Sequence, residues 1–233
     1  MPMSDIAKLV GFYGRFTPNY SRTGYLARSL RWSAFRPDFA GQYWVVTGAS
    51  GGIGAAIAAG AARAGAQVLA VARSSDRLEA ARRSLAPDVA QRIENRVCDL
   101  ASVAAIDDLL ASLRADGRPV DALINNVGVL FNDLELTAEG FEATYVTNLL
   151  GHYQLTEGLM GAAMLGTEAT IVNMASGGLY TVPQTTKLLN ITNAERYVGK
   201  YAYGAHKRAQ VALSERWDQR LRADHGRSYV MHP

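Results

Sequence analysis

Short apolar runs recur along the chain from Tyr43 onward, and the stretches between them carry apolar residues at helical spacing. The runs predict strands at 43–47, 67–72, 92–98, 120–125, 169–175 and 227–232. The spacing predicts helices at 53–64, 76–85, 102–115, 138–163 and 201–224. Strands that alternate with helices in this way imply an α/β fold, a doubly wound parallel sheet with helices on both faces. Residues 41–233 contain no internal repeat and no low-complexity linker, so they read as one domain.

Residues 1–40 break the pattern. Lys8, Arg15, Arg22, Arg28, Arg31 and Arg36 face only Asp5 and Asp38, and aromatic residues such as Tyr20, Tyr25, Trp32 and Phe35 interleave them. Ser21 is placed to cap a helix running to about Phe35, between Pro18 and Pro37. Leu26, Leu30 and Ala34 recur at helical spacing and would form one apolar side. Such an arm suits a helix docked on the edge of the main domain, peripheral contact with a membrane surface or a partner, or an acid-poor transit peptide.

Composition narrows the classes. Hydrophobic residues make up 48% of the chain and charged residues 19%, enough apolar material for a large core. The net charge of +3 is small and does not point to nucleic acid. Cys98 is the only cysteine, which excludes an internal disulfide and a cysteine-cluster metal site. His152, His206, His225 and His232 lack metal-ligand spacing, so no metal is expected; the first two read as packed or exposed helix residues. No apolar run approaches the ~20 residues of a membrane span, and no signal peptide is visible; a reducing, cytoplasmic setting is expected.

The candidate chemistry begins at Thr47-Gly48-Ala49-Ser50-Gly51-Gly52-Ile53-Gly54, between a predicted strand and an alanine-rich predicted helix. Strand, glycine turn and helix form the context for dinucleotide binding, because glycines let backbone N–H groups approach a pyrophosphate at a helix N-terminus. The second strand ends at Ala72-Arg73-Ser74, with no acid to receive an adenosine ribose. Arg73 instead offers a planar cation suited to a 2′-phosphate, with Ser50 and Ser74 as hydroxyl donors, so NADP(H) is favoured over NAD(H). Asp99, before Leu100 at the third strand end, suits either an adenine contact or a helix N-cap. Asn125-Asn126-Val127-Gly128 closes the fourth strand, where asparagines can tie neighbouring strands and Gly128 admits a ribose. Further on, Ser176 follows an apolar strand, and Tyr203 and Lys207 share one helix face.

In this order the motifs resemble the short-chain dehydrogenases/reductases of the classical type, over roughly Gly41 to Pro233. The stretches Ala175-Ser176-Gly177-Gly178, Lys207-Arg208-Ala209-Gln210 and Glu215-Arg216-Trp217 resemble, more narrowly, the branch called dehydrogenase/reductase family member twelve. The resemblance implies a Rossmann-type sheet that binds NADP(H) and transfers a hydride between nicotinamide and a carbonyl or alcohol. It implies that Tyr203 is the acid/base, that Ser176 holds the substrate oxygen and that Asn148 anchors a water. Lys207 would bind the nicotinamide ribose and bias Tyr203 toward phenolate. Gly48, Ser50, Gly52, Ile53, Gly54, Arg73, Asp99, Leu100, Asn126 and Gly128 would complete the cofactor site with Tyr203 and Lys207. Leu130, Phe131, Leu179, Tyr180 and Val182 suggest an apolar substrate, and a homo-oligomer is open.

The sequence departs from the family in three places. Val127 replaces the usual alanine. The interval from Ser176 to Tyr203 is long, and the extra loop from Tyr180 to Lys200 should border the substrate. The chain stops at His232-Pro233, where the family continues into a nicotinamide carboxamide contact, a lid and a last strand. The rival expectation is a cofactor-binding regulator or scaffold without turnover.

Overall fold

The computed structural model describes residues 21–33 and 36–232, together with Gly11, Gly14 and Pro18. The chain divides into two compact units, Met1–Pro37 and Asp38–Pro233. In the first, helix α1 (Arg22–Ser29) starts where Ser21 Oγ accepts the Gly24 N–H at 3.1 Å. It is shorter than the predicted helix, because the Arg31 and Trp32 N–H groups fold back onto the Arg28 and Ser29 carbonyls in a closing turn. Leu26 and Leu30, two residues of the expected apolar side, are exposed, while Ala34 and Phe35 lie outside the described residues.

In the second unit the described residues form one sheet of six strands, in the order β3-β2-β1-β4-β5-β6. The strands are β1 (Tyr43–Thr47), β2 (Gln67–Ala72), β3 (Ile93–Val97), β4 (Val120–Asn125), β5 (Leu165–Met174) and β6 (Arg227–Met231). Every neighbouring pair is parallel. The helices are α2 (Gly52–Arg63), α3 (Ser75–Arg83), the short α4 (Pro87–Ala90), α5 (Val103–Asp116), α6 and α7 (Gly199–Leu221). Helix α6 has three successive stretches, Ala143–Tyr145, the π turn Val146–Leu150 and Gly151–Gly161.

Side chains alternate across the strands and build two cores. On one face Val45, Leu69, Leu123 and Ile171 meet Ile106 and Leu113 of α5, Leu155 of α6 and Trp217 of α7. On the other, Val46, Val68, Ala70 and Ile124 meet Ala58, Ala61 and Ala62 of α2 and Leu78 of α3. The alanines explain why α2 packs so closely: they bring its backbone against the sheet at the strand ends where the glycine turn lies. The parallel order also puts every strand's C-terminal end on one edge of the sheet.

Three expected boundaries are corrected. Residues 138–142 are not helical: Gly140, at φ +82, closes a turn in which the Thr137 N–H reaches the Phe141 carbonyl. β5 begins at Leu165, earlier than expected, because the pairing with β4 slips between Val120 and Ala122, and Glu168 at φ +66 marks the irregularity. The final helix gives way to a 3-10 turn at Arg222–Asp224, beyond which His225 is left-handed. Among the described residues no helix is long and apolar enough to cross a membrane.

Candidate active site

The turn after β1 leaves no room for side chains. Gly48 has φ +69, and a Cβ there would lie 2.8 Å from Asn126 Nδ2. A Cβ at Gly54 would lie 2.3 Å from the Gly48 carbonyl oxygen, so the first turn of α2 sits directly on the loop. Thr47 and Asn126 lock this arrangement. The Asn126 N–H donates to Thr47 Oγ1 and its side-chain amide to the Thr47 carbonyl, both at 2.9 Å, which ties β4 to β1. Helix α2 has neither a capping side chain nor an acid in its first turn. Its leading N–H groups therefore keep the partial positive charge that suits a phosphate.

A cleft of about 610 Å³ opens above the strand ends. Gly48, Ser50 and Gly51 line it from the turn, Arg73, Ser74 and Arg77 from beyond β2, Asp99 and Leu100 from beyond β3, and Asn126 and Gly128 from beyond β4. Arg73 and Arg77 are exposed, and neither guanidinium has a partner among the described residues. Asp99 accepts the Ala101 N–H at 2.9 Å, whereas α5 is capped by Ser102, whose Oγ accepts from Ala105 at 3.2 Å. The N-cap reading of Asp99 is thereby corrected. Cys98, also on the wall, is buried, and burial pushes its thiol up to about 11.

At the β4–β5 end, α7 presents Tyr203 and Lys207. Lys207 is 2% exposed, and its Nζ donates to the Met174 carbonyl at 2.7 Å. That ammonium lies 5.7 Å from the centre of the Tyr203 ring. A Cβ at Gly128 would lie 3.4 Å from Lys207 Nζ and 3.7 Å from Asn148 Oδ1, so these three residues meet where the cleft ends. Burial lowers the Lys207 pKa to about 8, which leaves it mostly charged at neutral pH. Ser176 follows β5 and accepts the Gly178 N–H at 3.3 Å. A Cβ at Gly178 would lie 3.7 Å from Ser176 Oγ and 3.6 Å from Tyr203 Cδ1, so both side chains flank Gly178.

Asn148 sits in the π turn of α6. Its side chain holds both polar groups of Val129, accepting the N–H at 2.8 Å and donating to the carbonyl at 2.7 Å. A π turn shifts the helical ladder by one residue. The Asn148 carbonyl instead accepts from Gln210 Nε2 of α7 at 2.8 Å, and the same nitrogen lies 2.9 Å from His152 Nδ1. Burial and the Lys207 charge push His152 down to about 3, so it is a neutral brace.

The structure thus brings Gly48, Ser50, Arg73, Asp99, Leu100, Asn126 and Gly128 to one cleft. Asn148, Ser176, Tyr203 and Lys207 gather beside its β4–β5 end. Gly52, Ile53 and Gly54 stand in the first turn of α2 and do not line the cleft; Gly52 serves by its φ of +54, and the Ile53 side chain is 47% exposed. Sequence reasoning missed Arg77, although it lies one helical turn beyond Arg73. It also missed Gln210, at i+3 from Lys207, and the buried Glu142, which carries no local signal at all.

Residues 42–187 match the family described as short chain dehydrogenase. Dehydrogenase/reductase SDR family member 12 of Bos taurus is 31% identical over 222 residues, 92% of this chain and 67% of that protein. The Homo sapiens protein of the same name is 33% identical over 196 residues, 83% of this chain and 60% of that protein. The chain therefore spans about two thirds or less of these relatives' length. Among solved structures, L-sorbose reductase from Gluconobacter frateurii, complexed with NADPH and L-sorbose, is similar with a TM-score of 0.68 and 26% identity, over 85% of this chain and 71% of that one. A glycine turn on an all-parallel sheet, with a match over more than half of the chain, makes this protein a member of the short-chain dehydrogenase/reductase family of oxidoreductases, similar to its member-12 branch.

Proposed function

We propose that this protein is an NADP(H)-dependent oxidoreductase that interconverts a carbonyl and an alcohol on an apolar substrate. The observation that carries this reading is the convergence of Ser176 and Tyr203 on Gly178, with the buried Lys207 ammonium beside the Tyr203 ring. A bound nicotinamide would supply or accept the hydride. The residues present fit that cofactor. The glycine turn offers a backbone cradle that a single Cβ would fill, and Gly128 leaves a gap next to Lys207 in which a ribose hydroxyl can reach the ammonium.

The remaining roles belong to the chain's own groups. Tyr203 gives a proton to the carbonyl oxygen in reduction and takes it back in oxidation. Ser176 Oγ holds the same oxygen. Lys207, itself buried, places a positive charge beside the half-buried Tyr203. Asn148 fixes Val129 and so shapes the wall between cofactor and substrate. Arg73 and Arg77, both without partners among the described residues and with Ala72 where an acid would otherwise stand, suit the 2′-phosphate of NADP(H). The NADPH bound by L-sorbose reductase supports the same choice. Leu130 and Tyr180 are exposed apolar side chains near the site, whereas Val182 is buried against Gly204 and takes no part in the substrate wall.

The test is carbonyl-dependent NADPH consumption over a panel of apolar aldehydes and ketones. Consumption with at least one member, and a preference for NADPH over NADH, is the expected result. Tight NADPH binding without consumption across the panel would favour the non-catalytic reading.

A further inference from the structure

Between the 3-10 turn Gly177–Thr181 and the start of α7 the chain makes a long excursion, and one buried carboxyl gathers it in. Glu142, fully buried at the head of α6, contacts this excursion twice. Its Oε2 accepts the Ile191 N–H at 2.8 Å, and its own N–H donates to Asn190 Oδ1 at 2.9 Å. Asn190 has φ +51, the left-handed conformation in which asparagine is tolerated better than most residues.

The second carboxyl oxygen faces the catalytic helix. Glu142 Oε1 lies 3.8 Å from His206 Nε2, and both side chains are fully buried. That separation is too long for a hydrogen bond, and Glu142 Oε1 and both His206 nitrogens have no hydrogen-bond partner among the described residues. His206 directly precedes Lys207, so whatever fixes its ring also fixes that turn of α7. The titratable groups facing the pair are Lys207 on α7, Tyr145 on α6, whose ring is 5.7 Å from that of His206, and Tyr197 of the excursion with Glu135 and Asp133 near it. Burial raises Glu142 to about 7, while burial and Lys207 lower His206 to about 3. Around neutral pH the imidazole is therefore uncharged. A protonated carboxyl has a proton to offer Nε2, and an ionised one can face an Nε2–H tautomer, so the two groups are complementary in either state across the 3.8 Å that separates them.

We propose that Glu142 is a positioning residue that clamps the segment around Asn190 and Ile191 against α6 and, through His206, sets that segment relative to the turn of α7 bearing Tyr203 and Lys207. Position gives the clamp its consequence. Phe131, Glu135, Ala143 and Thr147 of the stretch around Glu142 line the cofactor cleft, and the Phe131 carbonyl also accepts from the Tyr197 hydroxyl at 3.2 Å. One strip of chain thus has the cleft on one side and the clamped segment on the other. Glu142 is the buried group that bonds to that segment and faces α7 at once.

The clamp has a readout that needs no turnover. Lys187 and Arg196 bracket the clamped residues and are exposed, so trypsin reports opening of this segment. Glu142→Ala is expected to speed cleavage at these two residues on the order of ten-fold, because it releases the Ile191 N–H and removes the carboxyl that faces His206, leaving only the backbone bond from residue 142 to Asn190. Asn190→Gly keeps the left-handed backbone, removes the other contact while the Ile191 bond to the carboxyl stays, and is expected to give a smaller acceleration; it covers the case in which Glu142→Ala does not fold. Glu142→Gln can accept from Ile191 and donate to His206, and should match the wild type. The kinetic arm rests on the oxidoreductase reading above: KM for the carbonyl should rise in Glu142→Ala and Asn190→Gly while NADPH affinity holds, with Glu142→Gln restoring KM. Unchanged cleavage in Glu142→Ala, or in Asn190→Gly should the first not fold, would overturn the clamp. Faster cleavage in proteins that show no turnover, wild type included, would uphold the clamp and remove the oxidoreductase reading instead.

Discussion

The region from β1 to β3 and the region from β4 to β6 share one strand-and-helix plan yet bury different kinds of side chain. In the first, Thr47 is the one fully buried polar residue among those described. In the second, Asn125, Glu142, Asn148, His152, Thr156, Asn173, His206, Lys207, Gln210, Ser214 and Ser228 are all buried. Several are chained: Asn125 Nδ2 donates to Thr156 and to Asn173, Asn173 reaches Ser228, and Ser228 meets Ser214 at 2.7 Å. The difference follows from the tasks proposed for each region. Gripping a dinucleotide needs backbone N–H groups, absent side chains and solvent-facing cations, all compatible with an alanine core. Moving a proton needs side chains that hold protons away from water, and burying such groups costs free energy unless they find partners.

If the division is real, damage in one region should leave the other's function standing. The largest effect is expected from Tyr203→Phe, which removes one hydroxyl from the second region. Turnover should fall by roughly 10²–10⁴-fold, the range typical of a lost general acid, as read by carbonyl-dependent NADPH consumption. Arg73→Ala acts in the first region. A charge-assisted contact contributes roughly 1.5–3 kcal/mol, so NADPH should bind ~10–150-fold more weakly while NADH binding stays level. Arg77→Ala should add to that loss. Equal losses for both cofactors would remove these arginines from the 2′-phosphate site.

Gly54→Ala probes the cradle itself. Its Cβ would meet the Gly48 carbonyl at 2.3 Å, and backbone cannot yield as a side chain can. A stability loss of about 1–3 kcal/mol in denaturant, together with weaker binding of both cofactors, is expected. The smallest effect sharpens the cost of the second region. Lys207 falls from 10.5 to about 8 on folding, so the folded state releases a proton that the unfolded chain keeps between those values. Stability of the wild type should therefore rise with pH through that window. Below pH 8 the buried charge costs roughly 3 kcal/mol, less what the Met174 carbonyl contact returns. Lys207→Met should be more stable at pH 7 by about 1–2 kcal/mol, inactive, and lose its advantage toward pH 10.

The same division governs what the chain discloses before it folds. The binding region is legible because its signals are local: Gly48, Gly52 and Gly54 lie within one turn, and Arg73 ends the adjacent strand. Tyr203 and Lys207 are legible for the same reason, four apart on one helix. The supports of the second region are not. A π turn at Val146–Leu150 has the apolar spacing of an ordinary helix, so nothing marks the carbonyl that Gln210 takes up. Glu142 reads as one more helix carboxylate until Gly140 stops the helix short of it and the segment at Asn190 folds over it. Arg77 was overlooked because its closeness to the turn at Gly51 depends on how α3 sits against α2.

The most direct measurement is an NADPH titration of the Tyr203→Phe protein beside the wild type, followed by nucleotide fluorescence. With nucleotide grip in the first region and proton transfer in the second, as proposed, the expected result is a dissociation constant within about two-fold of wild type in a protein that no longer consumes NADPH with any carbonyl substrate. Loss of NADPH binding in step with turnover, or turnover that survives the substitution, would contradict it.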